Sequence, residues 1–233
     1  MAPDVLGNAL HEYFLGNTRD QLMLHTSYGD PEEMPIDVFF REPEDFPELE
    51  HIALALCDGR MLDVGAGAGS HALYLQERGF DVTALEFSPG ACSVMRDRGV
   101  RNVLQRNFFG YQEGNYDTLL FLMNGIGLAG TVSGLRTLLQ HCRPMLRKGG
   151  QLLFDSSDIS YLYADGSVEK PHGYHGEIRY QYGYKGITGE PFSWLFIDQE
   201  MLTRIARTEG WVVQVVFEDA NDQYLARMEP MAR

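Results

Sequence analysis

Leu62-Asp63-Val64-Gly65-Ala66-Gly67-Ala68-Gly69 decides how the rest of the chain is read. An apolar strand runs into an acid, then into glycine at every second position, then into a helix begun by Ala72, Leu73, Leu75 and Gln76. Glycine has no side chain to hold off a ligand, so backbone in such a loop lies close to what it binds. The helix behind it points its N-terminal amides at the same place. The expected ligand is a nucleotide-like small molecule at the end of a parallel strand. Spacing then separates the cofactors. The dinucleotide fingerprint G-x-G-x-x-G would need glycine at position 70, and the chain has Ser70. The loop is G-x-G-x-G, with Asp63 two residues before the first glycine.

Downstream the chain alternates strand and helix. Strands are expected at 60–64, 81–86, 103–106, 118–123 and 151–154, with helices between most of them. Ser88-Pro89 is a helix start, serine as cap and proline at the first helical position. Gly79, Gly99 and Gly149-Gly150 punctuate helix ends. This alternation implies a parallel sheet covered on both faces. Leu119-Leu120-Phe121-Leu122-Met123 reads as its buried central strand. The ending differs: a helix over 198–208 leads into strands at 211–217 and 223–228. The turn Asp219-Ala220-Asn221-Asp222 between them is too short for a crossover, so the last strand runs antiparallel to its neighbour.

The glycine loop with its acid and the antiparallel ending together resemble the class I S-adenosylmethionine (SAM)-dependent methyltransferases. The resemblance spans about residues 56–228, apart from an excursion after the fifth strand. It implies an α/β three-layer sandwich with a mostly parallel seven-stranded sheet ending in an antiparallel hairpin. N-terminal helices and a small antiparallel β insertion are expected beside it. It also implies SAM as cofactor and S-adenosylhomocysteine (SAH) as product. The expected cofactor residues are Asp63, Gly65, Ala66, Gly67, Gly69, Glu86, Phe87, Asn107, Phe108 and Met123. Glu86 ends the second strand, where a carboxylate can accept from both ribose hydroxyls, and Phe87 can pack on the adenine edge. By resemblance Asp63 orients the loop and receives the methionine ammonium. Asn107 stands where the family usually has aspartate; it keeps one carbonyl acceptor for the adenine amine and loses the charge. Phe108 can offer its backbone N–H and a wall to the ring.

The reacting edge is less determined. Leu122-Met123-Asn124-Gly125 lacks the Asn/Asp-Pro-Pro-aromatic sequence of the family's nucleobase and glutamine N-methyltransferases. Asn124 fits either a substrate-positioning residue or a cap. Candidates for a general base are His25, His172, His175 and Asp155, with Asp158 nearby, and no spacing singles one out. His71, His51 and His141 read as structural helix residues. Asp155 and Asp158 have no His or Cys partners at metal-ligand spacing, so no metal site is expected.

Composition bounds the rest. The chain has 233 residues, 44% hydrophobic and 22% charged, with a formal net charge of −14. Such acidity repels phosphate backbones, which argues against a nucleic-acid partner, although it also serves solubility alone. No apolar run suits a membrane span, and residues 1–10 lack the pattern of a secretory signal. Cys57, Cys92 and Cys142 are odd in number and irregular in spacing, which suggests buried thiols in a cytoplasm.

Residues 1–55 form an expected N-terminal helical or lid segment, and 56–233 the SAM-binding domain. Leu6, Leu10, Tyr13, Phe14, Leu22 and Met23 suggest one or two helices over 4–25. Pro47 should open a further helix through Leu56. The excursion, about 157–196, is rich in Tyr and Gly, with a strand expected at 177–182 and a partner at 192–196. It fits a flap over an acceptor pocket or a homodimer interface. The function implied is methylation of a small-molecule oxygen, nitrogen or carbon. A SAM-binding module without turnover and a nicotinamide oxidoreductase are the alternatives.

Overall fold

The computed structural model describes residues 2–232. In chain order the elements are α1 (Val5–Phe14), β1 (Leu22–Thr26), β2 (Glu32–Met34), α2 (Glu48–Leu56), β3 (Arg60–Val64) and α3 (Ser70–Glu77). They continue with β4 (Asp81–Glu86), α4 (Pro89–Asp97), β5 (Val103–Gln105), β6 (Tyr116–Phe121), α5 (Val132–Cys142) and β7 (Leu146–Ser157). The last are β8 (Glu177–Tyr184), β9 (Ile187–Thr188), β10 (Phe192–Leu195), α6 (Gln199–Thr208), β11 (Trp211–Glu218) and β12 (Gln223–Pro230).

The main sheet has seven strands in the order β11-β12-β7-β6-β3-β4-β5. Strands β7, β6, β3, β4 and β5 run parallel, and β12 joins β7 antiparallel. The order reverses beside β3, at the crevice where ligands of such sheets bind. The unbroken apolar runs follow from covering both faces. Successive strand residues point to opposite sides. Leu62, Leu119 and Leu152 meet Leu135, Leu139 and Ile205 of α5 and α6. Their neighbours Met61, Leu120 and Leu153 meet Ala53, Leu75 and Met95 of α2, α3 and α4. All three cysteines are free and buried in these layers.

Helix starts obey capping chemistry. Ser88 Oγ accepts from Ala91 N at 3.0 Å, and Asp198 Oδ1 from Met201 N at 2.8 Å. Asp4 caps α1 through Gly7 N at 3.0 Å and reaches across to Gly90 N at 2.9 Å. That bridge needs the helices to touch: a Cβ on Gly90 would stand 2.6 Å from the Gly7 carbonyl.

One expectation is corrected. The helical reading of 4–25 holds for α1 only, because Leu22–Thr26 is a strand. Leu22 and Leu24 alternate with Met23 and His25, a period of two that spacing alone confuses with a short helical turn. The strand pairs with β2 close by and with β8 far along the chain. A second sheet has the order β10-β8-β1-β2, with β9 on β8, all antiparallel. The Tyr-rich hairpin and the N-terminal segment therefore build one sheet together.

Candidate active site

The two sheets enclose a cavity of about 850 Å³. One end is the glycine loop. Gly65, Gly67 and Gly69 all have positive φ, which only glycine adopts readily. A Cβ on Gly69 would meet Val100 at 2.8 Å and one on Gly67 would meet Phe39 at 3.1 Å, whereas at Gly65 nothing stands within 4 Å. The loop is thus packed beneath and open at Gly65, a cradle for a ligand.

Glu86 is tied to this loop. Its Oε2 accepts from Gly67 N at 3.1 Å and its Oε1 from Phe87 N and Ser88 N at 2.7 and 2.9 Å. Burial raises its pKa despite these three amides. Asp63 is 2% exposed and its Oδ2 has no partner among the described residues. Desolvation, with the Glu86 charge adding to it, pushes the Asp63 carboxyl up to about 6, and His71 partly opposes the shift. A buried, unpartnered acceptor beside an open glycine loop suits a cationic group. Phe87, 68% exposed, also borders the cavity, as do Ala66 and Met123.

Three of the expected cofactor residues do not border the cavity: Gly69, packed beneath the loop on Val100 and Met95, and Asn107 and Phe108. The Phe108 side chain is buried in the core against Phe121 and His141, at centroid distances of 5.4 and 4.9 Å. Asn107 Oδ1 caps the next turn through Phe109 N at 2.9 Å. Neither borders the cavity; Gln105 does.

Met123 and Asn124 both hold left-handed backbone, with φ of 59° and 54°. Such strain persists only where surroundings impose it. Here Asn124 N donates to Asp155 Oδ2 at 2.8 Å and Asn124 Nδ2 to the Leu195 carbonyl at 3.2 Å. Asp155 is 1% exposed and pushed up to about 6 by burial, and it also accepts from Gln223 at 3.0 Å. It buttresses the turn from below. Asn124 itself borders the cavity and its Oδ1 has no partner.

The other base candidates are not gathered here. His25 and His172 are exposed. His175 packs on Tyr174 and its Nε2 lies 3.2 Å from Asp158 Oδ1. None of the three borders the cavity. The histidine that does is His71, whose Nε2 lies 2.7 Å from Glu50 Oε2. The second sheet walls the cavity with Leu24, Tyr180, Tyr182, Phe192 and Trp194, and Phe196 after β10 borders it too. The sequence marked His71 only as a structural helix residue and gave no signal for Arg41 or Leu24. The aromatic clustering of 180–196 was the visible signal for the wall.

A profile of the methyltransferase domain matches residues 62–154. Among solved structures, a SAM-dependent methyltransferase from Bacteroides fragilis in complex with S-adenosyl-L-homocysteine is similar, at 38% identity and a TM-score of 0.91. The match covers 98% of this chain and 95% of that one. The CcbJ methyltransferase from Streptomyces caelestis has a TM-score of 0.65 at 16% identity, over 84% of this chain and 96% of its own, a likeness of fold alone. No curated protein matches the sequence significantly.

Proposed function

The chain belongs to the class I SAM-dependent methyltransferases, and from that premise we propose that it methylates a small molecule lying against the aromatic wall of the second sheet. The observation that carries this reading is the continuity of the cavity. One space of about 850 Å³ runs from the glycine loop to Trp194. That is within the size range of small-molecule sites, roughly 300–1,000 Å³.

The residues fit the cofactor. Gly65 to Gly67 would lie under it, Glu86 would accept from its ribose, Asp63 would face its ammonium and Phe87 would cover its adenine. When bound, SAM supplies an electrophilic methyl group on a sulfonium. The protein's part is to align and to dry the site. Asn124 presents a fixed amide oxygen at the strand end where the acceptor would approach. The second sheet excludes water from that side and offers apolar faces with polar tips. The acceptor atom is oxygen, nitrogen or carbon. Three buried free thiols support a cytoplasmic setting, and no described helix is long and apolar enough to cross a membrane.

The test is SAH release from SAM in the presence of fractionated metabolite extracts. Acceptor-dependent release that falls in a Trp194→Ala variant, with SAH affinity retained, supports the reading. Release independent of every small-molecule fraction would favour a binding module without turnover.

A further inference from the structure

Beyond the residues that fit the cofactor, the same cavity is bordered by the rings of Tyr180 and Tyr182 on β8 and of Phe192 and Trp194 on β10. The rings pack on one another, with 5.2 Å between the centroids of Tyr182 and Phe192 and 6.1 Å between those of Phe192 and Trp194.

The charge along the cavity is mostly of one sign. Asp4, Asp63, Glu86 and Glu190 border it, and Arg41 is the only lysine or arginine among the described residues that does. Arg41 is already matched: its Nη2 donates to Glu50 Oε1 at 2.5 Å and its Nε to the Val38 carbonyl at 3.0 Å. Three of the four acids are engaged. Asp4 caps α1 and holds Gly90 N, Glu86 holds three amides, and Asp63 stands at the strand end before the glycine loop. Glu190 is left. It is exposed, it comes two residues before Phe192, and its carboxylate has no hydrogen-bond or ion-pair partner among the described residues. The neighbouring Gly189 N donates to the Tyr182 carbonyl at 2.9 Å, which ties this turn to the aromatic strand. A carboxylate and aromatic ring faces on one cavity suit a cation.

Asn124 adds direction. Its Nδ2 is committed to the Leu195 carbonyl at 3.2 Å, which makes Oδ1 the free atom of the amide, and Oδ1 is buried without a partner. It therefore calls for an N–H or O–H on the acceptor. A hydroxyl must give up its proton to a base as it attacks. His71 Nε2 lies 2.7 Å from Glu50 Oε2, and its ring stands close enough to Asp63 to act on that carboxyl. A solvated carboxylate like that of Glu190 is far too weak a base for a hydroxyl proton. An amine needs no such base at the moment of attack, since its lone pair is already free.

We propose that the acceptor is a primary or secondary amine on an apolar frame, with the frame against Phe192 and Trp194, the cation drawn in by Glu190 and the ring faces, and one N–H of the reacting nitrogen held by Asn124 Oδ1. This rests on the methyltransferase reading and deepens it. In the overall balance one ammonium proton goes to water at the exposed Glu190 rim, an N–C bond replaces the C–S bond, and the sulfur keeps the C–S electron pair. The methylated product leaves as an ammonium.

Binding is tested on SAH-saturated protein by calorimetry with phenethylamine, phenethyl alcohol and phenylacetate. The amine should bind about tenfold more tightly than the alcohol, the scale of a cation on aromatic faces, and phenylacetate should bind most weakly. Glu190→Gln should remove that preference and leave SAH affinity within about twofold. Amine binding no tighter than the alcohol's would overturn the proposal. So would a preference that survives Glu190→Gln, because a general attraction to an acidic protein predicts that result. The reacting atom is tested by splitting a metabolite extract on a cation exchanger and incubating each fraction with methyl-deuterated SAM. Labelled product from the retained, basic fraction, with the methyl on nitrogen by mass-spectrometric fragmentation, supports the proposal. Product confined to neutral or acidic fractions, or labelled on oxygen or carbon, would overturn the amine and leave the methyltransferase reading standing. Product from no fraction, with SAH still bound, would overturn both.

Discussion

Leu24 and Tyr182 stand opposite each other in the antiparallel ladder of the second sheet, and both border the cavity. Opposite residues share a face, so the wall over the site is made by two segments far apart in the chain. The N-terminal strand is held there by backbone pairing and by the α1–α4 contact at Asp4. If this wall receives the acceptor, Leu24→Asp should lower acceptor turnover on the order of tenfold or more, the scale of altered apolar contacts in a pocket. SAH affinity should change little. An equal loss of SAH affinity, read by calorimetry, would put Leu24 with the cofactor instead.

Glu86 should be tested on binding. Its carboxylate holds Gly67, Phe87 and Ser88 amides, so its loss disturbs the loop as well as any ribose contact. Glu86→Ala is expected to weaken SAH binding by roughly 1.5–3 kcal/mol, the value of hydrogen bonds to a charged group. SAM and SAH should raise the melting temperature of the wild type, as ligands selective for the folded state do, and NAD should not. Calorimetric affinity unchanged in the variant would remove Glu86 from the site.

The main sheet was legible because its physics is local. β3 is a short apolar run closed by Gly65 and β4 one closed by the capping Ser88, and Asp81–Glu86 is a strand at its expected bounds. The short turn 219–222 forced the antiparallel ending, which the pairing of β12 with β7 shows. The second sheet was half legible. Its β8–β10 hairpin was readable from alternation, but β1 lies between β2 and β8, and β8 is more than a hundred residues away, which spacing cannot report. At the site, glycines and strand-end acids carry sequence signals. Arg41 and His71 carry none, because their meaning comes from Glu50 between them. At Asn107 and Phe108 the positions match the family, while a local cap and the core claim the side chains.

If Asp63 faces the cofactor's ammonium, cofactor affinity should depend on pH. In the free protein its carboxyl is pushed up to about 6 by burial. A bound ammonium favours the ionised form and lowers that value. Protons therefore compete with SAH, so affinity should fall as pH drops through about 6, by up to tenfold per pH unit, and level off above it. The unliganded fold has the opposite sign. A carboxyl with a raised folded pKa takes up its proton in the folded state first, so this term stabilises as pH falls from about 6 towards 4. Asp155, also near 6, adds to the second trend and not to the first. Asp63→Asn should flatten the SAH profile between pH 5 and 7 in calorimetric titrations. A profile unchanged in that variant would assign the titration elsewhere.

Gly127 offers a test of the aromatic wall from behind. The indole of Trp194 packs flat on this glycine: an added Cβ would stand 2.1 Å from Nε1 and 2.4 Å from Cδ1 and Cε2. Gly127 has no positive φ, so Gly127→Ala acts through the indole and not through backbone strain. A rigid ring has no flexible end to give way, and it must shift towards the cavity that Trp194 borders. Overpacking of this kind costs about 1–3 kcal/mol, readable by chemical denaturation. Adding Trp194→Phe should recover most of that loss, since the smaller ring leaves room for the methyl group. The coupling between the two substitutions should thus be favourable and well above 0.5 kcal/mol. In the single variant the acceptor KM should rise while SAH affinity stays within about threefold, because Trp194 stands on the second sheet and not on the glycine loop. A destabilised variant with unchanged acceptor kinetics would show that Trp194 supports the sheet without touching the acceptor.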